Sequence, residues 1–324
     1  MTGVTPPESG TAYEGWVKSG ATWVSTGVMA VASSGSVSHV FSAGEDLVAK
    51  YNEVVITIEP VPDGNSAPSG VVAFSAAVDG APIAEIRNLL SSFPSGASSG
   101  IITNLQGQLD VAITHAALAA SATSVSEAHQ HLEHVVNVID GVGGAKYGDL
   151  NGDGTVEDFG DGTGVLGYAA LGIKHAALAA EASDAESYLQ NVVEVATRAR
   201  DQAIAAIGQS ASNVVDIYVG TGAETVITLL GVAKDGSDVQ GGGAGDAYVA
   251  GQLMATYTFE VGAGGTPAAA PVADPAPAAP AAPATGETAI PFLAKASILI
   301  SMMLIGSGGI LVARGRRSRV ARGN

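Results

Sequence analysis

Two segments of the sequence repeat each other, and this repetition restricts the fold more than any other feature. THAALAASATSVSEAHQHLEHVVNV (Thr114–Val138) aligns with KHAALAAEASDAESYLQNVVEV (Lys174–Val195), which is three residues shorter between its two halves. Each copy has the pattern of an Ala-rich helix, a polar turn and a second helix. Ser124 with Glu127 predicts a capping box for one second helix, and Asp184 is the predicted cap of the other. Two such hairpins predict a four-helix bundle, in which inward-facing Ala lets the helices approach closely.

An acidic loop, Tyr147–Gly162 (YGDLNGDGTVEDFGDG), joins the two hairpins and has the spacing of a calcium site. Calcium binds carboxylate, amide and carbonyl oxygens around a tight turn, and these alternate here before Gly154. The loop resembles an EF-hand or dockerin loop, although Gly160 stands where the closing Glu is usual. The predicted Ca²⁺ ligands are Asp149, Asn151, Asp153, the Thr155 carbonyl, Glu157, and Asp158 or Asp161. The alternative is a Gly- and Asp-rich turn without metal. Bound calcium would fix how the hairpins meet.

The histidines form a second candidate site, because most of them fall within the predicted bundle, 101–265. The HLEH motif places His131 and His134 on one helix face, and the repeat puts His115 and His175 at equivalent positions. Convergence of these side chains predicts a transition-metal site. The proposed ligand set is His115, His131, His134 and His175. The alternative is that these histidines are surface or capping residues, or buried with hydrogen-bonding partners.

The N-terminal segment 11–79 alternates apolar and polar residues with the period of β-strands. Val54, Ile56 and Ile58 alternate with their neighbours, and Gly, Ser and Pro clusters separate the runs. The candidate strands are Tyr13–Lys18, Trp23–Val31, Ser36–Phe41, Glu53–Glu59 and Val71–Val78. Because several half-buried strands need a second apolar layer, we expect an antiparallel β-sandwich.

The same segment carries a family resemblance. Tyr13-Glu14-Gly15-Trp16-Val17 and VVITIEPVPDGNSAPSGVVAFS (Val54–Ser75) resemble the extracytoplasmic domain of anti-sigma-K factors, whose sheet ends in a VT-x-EP-x-GG-x-x-P-x-G run. The matching residues are Val55, Thr57, Glu59, Pro60, Gly64, Pro68 and Gly70, whereas Asn65 replaces the second Gly of the pair. The resemblance covers about a fifth of the chain and implies a β-domain outside the membrane. Nothing in the sequence matches the family's sigma-binding segment.

The C-terminal part has the composition of a stalk and an anchor. Segment 266–289 is rich in Pro and Ala, which predicts an extended linker. Segment 290–313 is apolar and long enough for a transmembrane helix, with Lys295 its one charge. The basic tail 314–324 follows, so the positive-inside rule predicts a single-pass protein with its N-terminal part extracytoplasmic.

The pentapeptide before this apolar segment adds a predicted partner. Pro283-Ala284-Thr285-Gly286-Glu287, an apolar stretch and a basic tail together resemble an LPxTG sorting signal, with Ala282 in place of the usual Leu. The resemblance implies sortase as a partner, cleavage between Thr285 and Gly286, and a location at the cell membrane or cell wall.

Charge and cysteine content restrict the function further. The net charge is −17, which disfavours nucleic-acid binding because phosphates would be repelled. The sequence has no Cys, which excludes disulfides and thiolate chemistry. No Glu-x-x-His pair of a di-metal bundle enzyme and no other catalytic constellation is present. The sequence therefore predicts a protein that is not an enzyme.

These features together predict an α+β multidomain protein: a β-sandwich, a helical bundle, a stalk and a transmembrane helix. The predicted function is that of a calcium-stabilised bacterial cell-surface protein with a structural, adhesive or sensing role. The membrane and a protein or ligand outside the cell are its predicted partners. One alternative is an extracytoplasmic sensor that regulates a sigma factor. The other is a histidine-based metal-binding bundle.

Overall fold

The protein combines one five-stranded antiparallel sheet with a bundle of helices, and each has its own buried core. The computed structural model describes residues 1–77, 80–180, 183–209, 220–237, 241–255, 257–262 and 299–300. The chain begins in the sheet, passes into the bundle at residue 80, and returns to the sheet at residue 260.

The sheet is built from four N-terminal strands and one short strand that follows the bundle. In chain order the strands are β1 (Thr11–Ser19), β2 (Thr22–Met29), β3 (Glu53–Pro60), β4 (Val72–Ala77) and β6 (Glu260–Val261). Their spatial order is β2-β1-β3-β4-β6, all antiparallel. The apolar alternation sets the register, since Tyr13 pairs with Ile58 and Val17 with Val54.

The predicted β-sandwich is wrong, because the described residues form one five-stranded sheet and, apart from it, only a two-stranded pair of two residues each (Tyr257–Thr258 with Leu299–Ile300). The expected strand Ser36–Phe41 forms only an isolated bridge, between Val31 and Val37. Short segments cover the apolar face of the sheet instead. They contribute Val4, Val37, Leu47 and Tyr51 around the short helix α1 (Leu47–Lys50), and Tyr257 and Phe259 from beyond the bundle. These side chains bury the face that a second sheet would have buried.

The bundle contains more helices than the two predicted hairpins. Its members are α2 (Gly80–Leu90), α3 (Ile101–Ser121), α4 (Val125–Asp140), α5 (Gly164–Ala179), α6 (Asp184–Ile207), α7 (Gly220–Asp235) and α8 (Ala244–Leu253). Helix α3 packs against α4, α5 and α7. Buried Ala residues in the bundle core, such as Ala112, Ala169 and Ala199, allow the helix axes to come close.

The caps of the two second helices follow the sequence in one hairpin and depart from it in the other. The Ser124 side chain accepts the Glu127 backbone N–H (3.2 Å), as the capping motif predicts. In the other hairpin, Asp184 is the first residue of α6, and Ser183 caps it by accepting the Glu186 N–H at 3.2 Å. The predicted cap is therefore wrong by one residue.

Most of the predicted transmembrane segment, 290–313, lies outside the described residues. Among the described residues, no helix combines the length and the apolar character that a membrane crossing needs. Within segment 290–313 the structure describes Leu299–Ile300, which form strand β7 and pair with strand β5 (Tyr257–Thr258). The Pro/Ala-rich segment 266–289, its sorting pentapeptide and the basic tail 314–324 lie outside the described residues.

Candidate metal centre

Three histidines of the first helical hairpin meet in the bundle. His131 and His134 lie three residues apart and share one face of α4, as their spacing predicts. Helix α3 packs beside α4 and contributes His115. The cluster is largely shielded from solvent, since His134 is 3% exposed and His115 is 9% exposed. In the described part of the chain, no other group of three or more His, Cys, Asp or Glu residues has its ligand atoms this close together.

The three imidazoles turn nitrogen atoms toward one another. His115 Nδ1 lies 3.1 Å from His134 Nδ1 and 3.3 Å from His131 Nδ1. One ligand atom from each residue lies within 4.8 Å of the other two. Nitrogens bound to a tetrahedral zinc ion lie roughly 3.3 Å apart, given Zn–N bonds of about 2.0–2.1 Å. The His115 nitrogen therefore already stands at ligand spacing from both neighbours.

Hydrogen bonding alone does not satisfy this arrangement. The Nδ1 atom of a neutral imidazole carries either one hydrogen or one lone pair. His115 Nδ1 faces two other Nδ1 atoms, so it can form a full hydrogen bond with only one of them. A cation that accepts all three lone pairs would satisfy the whole cluster.

A carboxylate holds the outer side of His134. Glu157 Oε2 lies 2.6 Å from His134 Nε2 and also accepts the Gln130 side-chain N–H at 2.8 Å. Histidines that bind metal commonly donate their other ring N–H to a carboxylate, which fixes the ring orientation. Glu157 has this relation to His134.

Phe159 adds an aromatic contact on two of the histidines. Its ring centre lies 4.4 Å from that of His134 and 4.7 Å from that of His115, although 55% of Phe159 is exposed. The acidic loop therefore supplies both the carboxylate and the phenyl ring that contact this cluster.

Buried polar side chains of α4 attach the acidic loop to the helix. Glu133, which is 1% exposed, accepts backbone N–H bonds from Leu150 (2.8 Å), Asn151 (3.0 Å) and Glu157 (3.3 Å). Asn137, which is fully buried, donates to the Glu157 carbonyl at 2.8 Å. Buried polar groups need such partners, and together these bonds hold the loop against the helix beside His134.

Sequence reasoning missed Glu133 and Asn137 as anchors of the loop. The signal was present, because both interrupt the apolar run LEHVVNVI at positions four residues apart, on one face of α4. Polar residues on a helix face that points inward indicate a polar partner segment. The sequence does not say which segment that is.

Burial favours the unprotonated form of two of the clustered imidazoles, His115 and His131. Burial lowers the pKa of His115 to about 4, and the neighbouring His134 and His131 rings lower it further in the same direction. Burial, followed by His134, also lowers the pKa of His131. The hydrogen bonds from His134 and Gln130 lower the pKa of Glu157. Neutral imidazoles with free lone pairs are the form that binds a metal ion.

The depressed pKa of His115 predicts acid sensitivity of the metal-free protein. Because its folded pKa of about 4 lies below its ordinary value of 6.5, the unfolded chain binds the extra proton first as the pH falls. The free energy of unfolding should therefore drop between pH 6.5 and pH 4, by up to roughly 3 kcal/mol from this residue. Urea unfolding at pH 7, 5 and 4 measures the drop. His115→Gln should flatten it, and an unchanged slope in this variant would contradict the prediction.

The structure does not bring the fourth predicted histidine to the cluster. His175 Nδ1 pairs instead with the carboxylate of Glu85 on α2, and its ring meets Phe93 edge-on at 5.3 Å. The physical reason is that α5 packs against α2 as well as against α3. The equivalent position in the second repeat therefore faces a different neighbour.

The predicted calcium ligands are arranged mainly around the backbone of their own loop. Asp149 accepts the N–H groups of Gly152 (2.7 Å) and Gly154 (2.9 Å). Asn151 accepts from Asp153 N–H, and Asp153 accepts from Thr155 N–H. Such short-range bonds are typical of Asx turns. They shape the loop without requiring a cation.

The remaining predicted ligands point to other partners. Asp158 accepts the Gly160 N–H at 2.8 Å, and Asp161 accepts the Tyr168 hydroxyl at 2.6 Å. Glu157 contacts His134, as described above. The calcium site thus stays a prediction, and one of its expected ligands belongs to the histidine cluster in this structure.

Comparisons of the chain with models of known families, with curated proteins and with solved structures found no match. Its class therefore follows from the fold and the site alone. It is an α+β protein in which a helical hairpin and an acidic loop enclose three histidines whose nitrogen atoms converge.

Proposed function

We propose that this protein binds one transition-metal dication through His115, His131 and His134. The observation that carries the proposal is the convergence of their nitrogen atoms, with Nδ1 separations of 3.1 Å and 3.3 Å around His115. The proposal corresponds to the histidine-based alternative of the sequence analysis, with His175 removed from the ligand set.

The ligand chemistry selects the class of metal. Imidazole nitrogens suit Zn²⁺, Cu²⁺ and Ni²⁺, whereas Ca²⁺ and Mg²⁺ prefer oxygen ligands. Three protein ligands leave room for a fourth ligand from solvent or from a partner molecule. The acidic charge of the protein, −17 overall, favours the approach of cations.

Metal titration of the full-length chain tests the proposal. After treatment with a chelator, the protein is titrated with Zn²⁺ and with Co²⁺, and the bound metal is counted by elemental analysis. We expect one equivalent of metal, a visible Co²⁺ absorption band typical of tetrahedral coordination, and higher thermal stability. At a free metal concentration of 100 times Kd, the free energy of unfolding should rise by about 2.7 kcal/mol. A protein that retains no stoichiometric Zn²⁺ or Co²⁺ would overturn the proposal.

A calcium arm of the same experiment tests the separate prediction for the acidic loop. If the loop binds Ca²⁺, calcium should raise the melting temperature even in a variant that lacks His115, because the side chains of Asp149, Asn151 and Asp153 bond backbone N–H groups of their own loop. If calcium leaves the melting temperature unchanged, the calcium prediction fails and the histidine proposal is unaffected.

A further inference from the structure

We infer that Glu157 is the positioning residue of this centre. Its carboxylate holds the ring hydrogen of His134 on Nε2 and thereby keeps the Nδ1 lone pair of His134 directed at His115. The inference deepens the proposed function, since it names the group that prepares one ligand. The tautomer itself is a property of the metal-free protein and can be tested without any metal.

The hydrogen-bonding capacity of the two groups carries the inference. An ionised carboxylate only accepts hydrogen bonds, so the 2.6 Å contact between Glu157 Oε2 and His134 Nε2 requires the hydrogen on that nitrogen. A neutral imidazole has a single ring hydrogen, so Nδ1 then carries a lone pair. That Nδ1 lies 3.1 Å from His115 Nδ1, on the side where the three rings meet.

Burial makes this contact effective. His134 is 3% exposed, so water competes little for its Nε2 hydrogen. Without Glu157, the ring would lose its acceptor on that side, and the tautomer with hydrogen on Nδ1 would become available. That hydrogen would then occupy the position that a metal ion needs.

The fold holds Glu157 at both its backbone and its side chain. Glu133 accepts the Glu157 backbone N–H, and Asn137 donates to its carbonyl. Gln130 donates to the same carboxylate oxygen that His134 contacts. All three anchors are on α4, the helix that also carries His134. The carboxylate and the imidazole that it orients are therefore fixed to one rigid element.

The test compares Glu157→Ala and Glu157→Gln with the wild-type full chain. Long-range ¹H–¹⁵N NMR spectra of the metal-free protein report which nitrogen of His134 carries the hydrogen. We expect hydrogen on Nε2 in the wild type, a mixture of tautomers in Glu157→Ala, and rescue of the Nε2 form in Glu157→Gln, because the Gln carbonyl can still accept. Zinc affinity should fall about 10–100-fold in Glu157→Ala and less in Glu157→Gln.

Asp153→Ala is the matched control. It removes one negative charge from the same loop, but the Asp153 carboxylate bonds Thr155 and Asn151 rather than a histidine. We expect the wild-type tautomer and the wild-type zinc affinity in this variant. Circular dichroism checks that all variants are folded.

The outcomes separate the two proposals. Hydrogen on Nδ1 of His134 in the wild type, or a Glu157→Ala variant with unchanged tautomer and unchanged affinity, would overturn the positioning role. The expected tautomer change in a protein that binds no metal would support that Glu157 orients His134 and would refute the metal-binding function.

Discussion

His115→Ala is expected to lower the zinc affinity at least about 100-fold, whereas His175→Ala should leave it unchanged. Removal of a ligand should cost at least as much as removal of a residue that only orients a ligand, for which 10–100-fold losses are typical. His115 Nδ1 is the nitrogen that both other histidines approach, so its loss leaves only two of the three proposed ligands. Competition with a chromophoric chelator measures both affinities.

The two positions form a matched pair, because each is the histidine of a HAALAA motif in its own repeat. They differ in their neighbours: His115 meets the α4 histidines, and His175 meets Glu85 and Phe93. Circular dichroism and thermal unfolding without metal check that both variants fold. Equal losses of affinity would mean that the convergence of the three nitrogens is not the binding site.

Gly141→Ala is expected to lower the free energy of unfolding by about 2–5 kcal/mol. Gly141 follows α4 with a φ of +73°, and a Cβ atom there would lie 2.4 Å from the Thr163 carbonyl oxygen. The left-handed backbone costs a non-Gly residue about 1–2 kcal/mol, and overpacking adds about 1–3 kcal/mol. The contact between Gly141 and Thr163 closes the base of the acidic loop, where Val142 N–H bonds the Gly162 carbonyl at 2.8 Å. Urea unfolding of the metal-free protein measures the loss.

Gly143→Ala separates the two causes. Gly143 also has a positive φ, +85°, but no atom lies within 4 Å of where its Cβ would be. The free energy of unfolding of Gly143→Ala should therefore fall only by the cost of the positive φ, about 1–2 kcal/mol. If Gly141→Ala and Gly143→Ala destabilise the protein equally, the close approach of Gly141 to the Thr163 carbonyl does not contribute to the destabilisation.

A substitution that disrupts the base of the acidic loop should also lower the metal affinity of the histidine cluster. Glu157 and Phe159 reach the histidines only because the loop returns along α4. Gly164 follows the acidic loop and lies beside Gly141 at the loop base. It has a φ of +75°, and it also lacks room for a Cβ atom. The paired glycines thus connect the fold of the loop to the geometry of the site.

Features that depend on neighbours in sequence could be predicted. Helical periodicity indicated the hairpins that became α3 with α4 and α5 with α6, and the Ser124 cap followed from a local motif. The spacing of His131 and His134 placed them on one face, because residues three apart on a helix are neighbours. The β-strand pattern around Val54, Ile56 and Ile58 likewise became β3.

Features that depend on segments far apart in the sequence could not be predicted. The sandwich was wrong because Leu47, Tyr257 and Phe259 cover the sheet, and no alternation of residues predicts a cover assembled from such separate pieces. In the sequence, Glu133 and Asn137 only interrupt an apolar helix. The fold supplies their partners, which are backbone groups of the acidic loop. Glu157 has the spacing of a calcium ligand, yet it contacts His134.

The histidine centre shows where local information ends. The repeat makes His115 and His175 equivalent in sequence, and nothing local distinguishes them. Helix α4 lies beside α3 and presents two further histidines to His115, while α2 presents a carboxylate to His175. Spacing along a helix establishes which side chains share a face. Which neighbouring helix packs against that face depends on the apolar surface buried by all the helices together, and this is a property of the whole packed chain.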